Sequence, residues 1–228
     1  MQSYPKMEEA GEYPQLAKSI FYWLNYQKTV SRSDVLLESA IRFPLAEFIE
    51  RRYKAAVELE AHHPYFDRLR VDFSYRISER IRYVEVKYLH DYSDREAEFK
   101  RYFDDLVRLA LLDGMNYFIL CGPRDLYENK ILKERIVIDE KKIPQDTDKR
   151  PIGNVTDNKF EKILPLHELG GEIDFNPFEF YSYIGPCDIE NRQIPHKLEN
   201  VHVRLVAQED DKGNSSQVVY IWRVTTKK

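Results

Sequence analysis

The sequence predicts an α/β fold, a mixed α+β sheet flanked by helices, with an αβββαβ core. Three observations carry this. Two strand-forming runs, Leu69 to Ile77 and Arg80 to Leu89, are separated only by Ser78-Glu79 and read as a hairpin. A capping-box signature, Ser93 with Glu96 three residues later, opens a helix that Gly114 is placed to stop in the left-handed conformation. The apolar run Tyr117 to Cys121 then reads as a short buried strand, parallel to the one before the helix.

The elements follow in order. Residues 1–32 form an N-terminal helical lead-in, loose over the first dozen residues and helical from Pro14 to about Gln27, with Leu16, Ile20, Phe21 and Leu24 on the apolar face. A second helix runs from about Ser33 to Tyr53, with Ser31 or Ser33 as cap and Pro44 as a kink or break. Ala56 to Glu60 is a short strand ahead of the hairpin. In the capped helix, Phe99, Phe103, Leu106 and Ala110 share one stripe. Residues 33–122 thus form the core. Within 123–228, an accessory segment packed on that core, Leu126 to Val137 reads as a helix, and Asp139 to Lys159 as a charged, turn-rich lid or partner-contacting arm. Val201 to Ala207 and Gln217 to Val224 alternate as a hairpin around a polar turn.

Composition narrows the function classes. Hydrophobic residues make up 43% of the chain, which argues for a packed core rather than disorder. The net charge of −4 argues against binding nucleic acid through bulk electrostatics, though basic residues can cluster locally. Two cysteines, Cys121 and Cys187, are too few for a four-cysteine zinc site. No HExxH pattern is present, and Gly170-Gly171 lacks the context of a phosphate-binding loop. No run reads as a signal peptide or membrane span, so the expected location is cytoplasmic.

The chemistry-bearing stretch is Arg82-Tyr83-Val84-Glu85-Val86-Lys87-Tyr88-Leu89. Strand side chains alternate between faces, so Glu85 and Lys87 project to the same side. Asp72 lies on the preceding strand, thirteen positions before Glu85, a separation that suits hairpin pairing. Taken singly, these residues also admit a bland reading: Asp72 pairing with Arg70 or Arg82, and Glu85 and Lys87 on the solvated face of an edge strand.

With this arrangement the chain resembles the PD-(D/E)XK nuclease superfamily, the restriction-endonuclease-like fold, over roughly Ser33 to Gly122. The family's Asp on the second core strand and (D/E)-x-K on the third correspond to Asp72 and Glu85-Val86-Lys87. Arg70-Val71 stand where the family often carries a proline before the Asp. The resemblance implies a Mg²⁺-dependent (or Mn²⁺-dependent) endonuclease that hydrolyses phosphodiester bonds, with nucleic acid, DNA first, as partner. Asp72, Glu85 and the Val86 carbonyl would be the metal ligands, and Lys87 the assisting amine. Hard oxygen donors suit Mg²⁺, which keeps several waters in its octahedron.

Many members add a glutamate from the first core helix, and Glu38 and Glu47 are the candidates. At about 100° per residue, Leu45 and Ile49 fall within roughly 20° of Glu38, whereas Glu47 points the opposite way. Glu38 is favoured, unless Pro44 rotates the second half. Lys100, Arg101 and Arg108 on the capped helix are candidate phosphate contacts. Glu58 and Glu60 are candidate supporting acids, and His62-His63 reads as a surface pair beside a turn. A catalytically inactive member of the same fold, serving as a nucleic-acid-binding or assembly module, is the alternative. So is an unrelated interaction domain, and a homodimer or protein contact through the C-terminal half stays open.

Overall fold

A computed structural model of the chain describes residues 12–32, 36, 38–64, 69–90, 102, 105, 106, 108–128, 136–139, 159–162, 172–175, 200–210 and 216–227. Helix α1 spans Glu12–Thr29 and α2 spans Glu38–Tyr53. Strands β1 (Val57–His62), β2 (Arg70–Ile77) and β3 (Arg80–Tyr88) follow. Helix α3 is described at residues 102, 105, 106 and 108–110, and β4 at Met115–Pro123. After a three-residue helical turn, α4 (Arg124–Leu126), come β5 (Ile136–Asp139), β6 (Lys159–Lys162), β7 (Glu172–Phe175), β8 (Asn200–Glu209) and β9 (Gln217–Lys227).

The fold is mixed α+β. A seven-stranded sheet runs in the order β1-β2-β3-β4-β9-β8-β7, and β5 and β6 pair separately. β3 and β4 are parallel, Val86 opposite Ile119, while the other pairs in the sheet are antiparallel. Parallel pairing requires a crossover, which α3 supplies. The apolar run from Tyr117 to Cys121 is buried on both faces, as expected of a central strand.

Alternation sorts the strand residues into two cores. Val84, Val86, Tyr117, Ile119 and Ile221 pack with Leu16, Ile20 and Leu24 of α1 and with Ile41, Leu45 and Ile49 of α2. Phe118, Leu120, Tyr220 and Trp222 pack with Tyr102, Leu106 and Leu109 of α3 on the other face. The helices therefore form two outer layers around the sheet. Beneath the start of α1, the rings of Tyr13 and Tyr117 lie 4.3 Å apart and the Arg82 guanidinium sits 5.8 Å from the Tyr75 ring centre. Burial raises the Tyr117 pKa to about 12, so these phenols are neutral.

Several sequence expectations change. α2 continues through Pro44 as one element, because Ile41, Leu45 and Ile49 hold its apolar stripe on the sheet on both sides of the proline. Gly114 does not take the left-handed conformation. α3 ends in tight turns instead, with Leu111 and Leu112 N–H donating to Arg108 and Leu109 carbonyls at 3.2 and 3.1 Å. The glycine serves close approach, since a Cβ there would fall 2.6 Å from the Ile81 carbonyl oxygen. Where a helix was expected from Leu126 to Val137, Ile136–Asp139 is strand, the β-branched run Ile-Val-Ile outweighing helix periodicity, and residues 129–135 lie outside the described residues. The C-terminal hairpin is no separate layer: β9 pairs with β4 and β8 with β9, so the accessory segment completes the central sheet. Ser93, Glu96, Phe99, Phe103, Lys100, Arg101, Cys187 and most of the charged stretch from Asp139 to Lys159 lie outside the described residues. Among the described residues, no helix is long and apolar enough to cross a membrane.

Candidate functional site

The site forms where β2 and β3 part. Their ladder is regular from Ile77↔Arg80 to Phe73↔Val84. Just beyond, the Val86 N–H donates to Asp72 Oδ2, at 2.7 Å. A carboxylate side chain has entered the gap between the strands, which brings it beside Glu85. Both acids are buried, Asp72 at 6% and Glu85 at 4% exposure.

Their environment separates two roles. Burial raises the Asp72 pKa, while the charges of Lys87 and Arg42 and the Val86 N–H pull it back down. Burial raises the Glu85 pKa well above the usual carboxylate range, and the adjacent Asp72 charge raises it further; Lys87 and Arg108 offset only part of this. Side by side in a poorly solvated site, the charge on each disfavours that on the other, and Lys87 and Arg42 offset this in part. Of the two, Glu85 is pushed further towards its protonated form.

Lys87 lies on the same side of β3 as Glu85. Its Nζ is 3.1 Å from Glu38 Oε1 and 3.1 Å from Asp105 Oδ2. The amine is therefore strapped between the first turn of α2 and the middle of α3. Asp105 is 2% exposed and also pairs with Arg108, three residues on along α3. Opposite, Arg42 of α2 contacts Asp72, Glu60 and, at 3.4 Å, Glu38.

The sequence-predicted residues thus fall into distinct positions. Asp72, Glu85, Lys87 and Glu38 come together around the end of the β2–β3 ladder. Glu47 does not: it faces outward at 59% exposure and pairs with Arg51. The helix phase that set Glu38 and Glu47 apart holds through Pro44. Arg108 is engaged with Asp105 rather than standing as an outward phosphate contact. The edge-strand reading of Glu85 and Lys87 fails, since β3 lies between β2 and β4. Asp72 pairs with Arg42, not with Arg70 or Arg82. His63 is no surface histidine. It is buried with Nε2 3.2 Å from the Arg108 carbonyl, and burial lowers its pKa, while His62 is exposed.

Sequence reasoning missed Arg42 and Asp105. Arg42 was legible as an i,i+4 partner of Glu38 on the same helical face. Asp105 carried a fainter signal, an acid beside the apolar stripe residue Leu106 with Arg108 three positions on.

Two adjacent hard-oxygen carboxyls, those of Asp72 and Glu85, make a donor set that would suit a divalent cation such as Mg²⁺. Among the described residues, no group of three or more His, Cys, Asp or Glu converges as a metal cage. A Mg²⁺ site of two carboxylates needs none, because water and a backbone carbonyl complete it.

No family model, curated protein or solved structure matches the chain. The geometry of these side chains is accordingly what any functional reading has to rest on.

Proposed function

We propose that the protein is a Mg²⁺- or Mn²⁺-dependent nuclease of the PD-(D/E)XK type that hydrolyses phosphodiester bonds in DNA. The observation that carries the reading is the convergence of buried Asp72 and Glu85 beside the amine of Lys87. The order α2, β1, β2, β3, α3, β4, with β3 and β4 parallel, is the order that the family resemblance implies, and it supports the same reading.

Phosphodiester hydrolysis in water is very slow, so the site must supply a nucleophile and offset charge developing on the phosphate. A bound divalent cation contributes Lewis acidity and a lowered pKa for its water. The chain's own groups supply the rest. Asp72, oriented by the Val86 N–H, offers a fixed anionic oxygen. Glu85, its pKa raised by burial and by Asp72, would give up its proton more readily with a cation held beside it, so binding would be coupled to pH. Lys87 positions the attacking water and compensates phosphate charge, and Glu38 and Asp105 hold its Nζ in place. Low exposure of the acids strengthens each of these interactions relative to open water.

One observation favours a second reading, a catalytically inactive module that binds nucleic acid or assembles with a partner. Asp72, Glu38, Glu60 and Asp105 already have cationic neighbours within the chain. Incubation of the purified protein with supercoiled plasmid, linear DNA and single-stranded DNA, with Mg²⁺ or Mn²⁺, separates the two. Cleavage that vanishes with chelator and in Asp72→Asn supports the nuclease. DNA retention in a mobility-shift assay without cleavage under any of these conditions supports the module.

A further inference from the structure

Arg42 stands at the centre of the charged cluster and has no part in the nuclease reading. Its guanidinium touches three carboxylates at once, those of Asp72, Glu60 and Glu38. Only 18% of its side chain is exposed. Together with the Val86 N–H on Oδ2, its contact with Oδ1 leaves both Asp72 oxygens engaged.

A divalent cation arriving at Asp72 therefore meets a positive charge already in place. Guanidinium cannot yield by losing its proton, because it stays charged throughout the accessible pH range. It can yield by turning away, and two acceptors are within reach for that. Glu38 projects from the same helix, one turn before Arg42. Glu60 lies in β1 between the register pairs Leu59↔Phe73 and Ala61↔Val71, which sets it opposite Asp72. Glu60 has φ of +51°, the left-handed conformation that a non-glycine residue seldom takes within a strand. Its carboxylate is 56% exposed, with room to follow a moving partner.

We propose that Arg42 is a built-in counter-ion that occupies Asp72 in the metal-free protein and exchanges with the divalent cation, moving onto Glu38 and Glu60. This inference rests on the metal-site reading above. Its consequence is that Arg42 lowers the resting protein's affinity for the ion, since guanidinium and dication repel across a poorly solvated gap. Arg42 acts here as a positioning residue for Asp72, not as a ligand.

The test is isothermal titration of Mn²⁺ into wild type, Arg42→Gln and Arg51→Gln. Arg42→Gln is expected to bind about tenfold tighter or more, because one close repulsive charge is gone. Arg51→Gln removes the same charge from the outer face of α2, where solvent and salt screen it, and should match wild type. Equal affinity of wild type and Arg42→Gln would overturn the exchange while leaving the metal site standing. Absence of binding in both would overturn the exchange and the metal site together. If Arg42→Gln does not fold alone, Mn²⁺ should restore its circular dichroism spectrum, and failure to do so overturns the proposal.

Discussion

Replacing Lys87 by Met removes the ammonium and keeps most of the aliphatic stem, so packing changes little while two ion contacts vanish. The contact with Glu38 involves a carboxylate that is 31% exposed and retains Arg42 as a partner. Its loss costs about 0.2–1 kcal/mol, the range for partly solvated pairs. The contact with Asp105 is a buried ion pair, and losing it costs about 1.5–3 kcal/mol, the order of a charge-assisted contact. The larger penalty for a wholly unpaired buried charge does not apply, because Arg108 still holds Asp105. The expected sum is about 2–4 kcal/mol of lost stability. For a chain of 228 residues, each kcal/mol lowers Tm by about 2–4 °C, so the drop falls between about 4 and 16 °C. Urea and thermal unfolding, followed by circular dichroism, measure it. Plasmid cleavage is then assayed well below the variant's Tm, where it is still folded. Loss of metal-dependent cleavage there, along with lower stability, is the expected pair of results. A Lys87→Met protein as stable as wild type would refute the argument that this amine joins α2 to α3, and undiminished cleavage would remove its role in the reaction.

Three further expectations concern neighbouring groups. Glu85 has its pKa raised by folding, so protonation favours the folded state. Its contribution is present near the unfolded carboxylate pKa and is lost as pH rises through the folded value. The metal-free protein should therefore weaken as pH rises above the ordinary carboxylate range, and Glu85→Gln should flatten that slope; parallel urea-midpoint curves would count against the raised Glu85 pKa. Glu38→Gln, which releases the Lys87 amine, should reduce metal-dependent cleavage by about tenfold or more, while Glu47→Gln leaves it unchanged. The opposite ranking in steady-state assays would put the wrong glutamate in the site. Gly122 has φ of +145°, and a Cβ there would fall 2.7 Å from the Leu89 Cβ and 2.9 Å from its nitrogen. Gly122→Ala should cost about 1–3 kcal/mol in denaturant unfolding, and an unchanged midpoint would deny the close approach of β4 to the end of β3.

Much of the frame was legible because it rests on local periodicity. The apolar spacing of Leu16, Ile20 and Leu24, the two-residue turn at Ser78-Glu79, and the unbroken apolar run ending at Cys121 each define an element without long-range information. Helix phase likewise separated Glu38 from Glu47, because 3.6 residues per turn is a property of the backbone itself. The resemblance over Asp72 and Glu85-Val86-Lys87 pointed to residues that do converge. Where local signals competed, reading failed. Pro44 looked like a kink or a break, and α2 is not broken there, because Ile41, Leu45 and Ile49 pack on one sheet face on both sides of it. Gly114 looked like a left-handed stop, yet what it serves is close contact with Ile81 of β3, thirty-three residues earlier in the chain.

What the amino-acid order determined alone was which segments become helix or strand and which side of each is apolar, since both follow from backbone geometry and nearest neighbours. Tertiary structure decided the rest. It placed the Asp72 carboxylate beyond Phe73↔Val84, set Arg42 against it, and brought Asp105 of α3 against Lys87 on the same sheet face. It also built β8 and β9 into the central sheet, where a reading along the chain saw an appended segment. Such pairings depend on where distant elements meet, and the charge on each group depends on how much water that meeting removes. Neither quantity is written in any window of sequence.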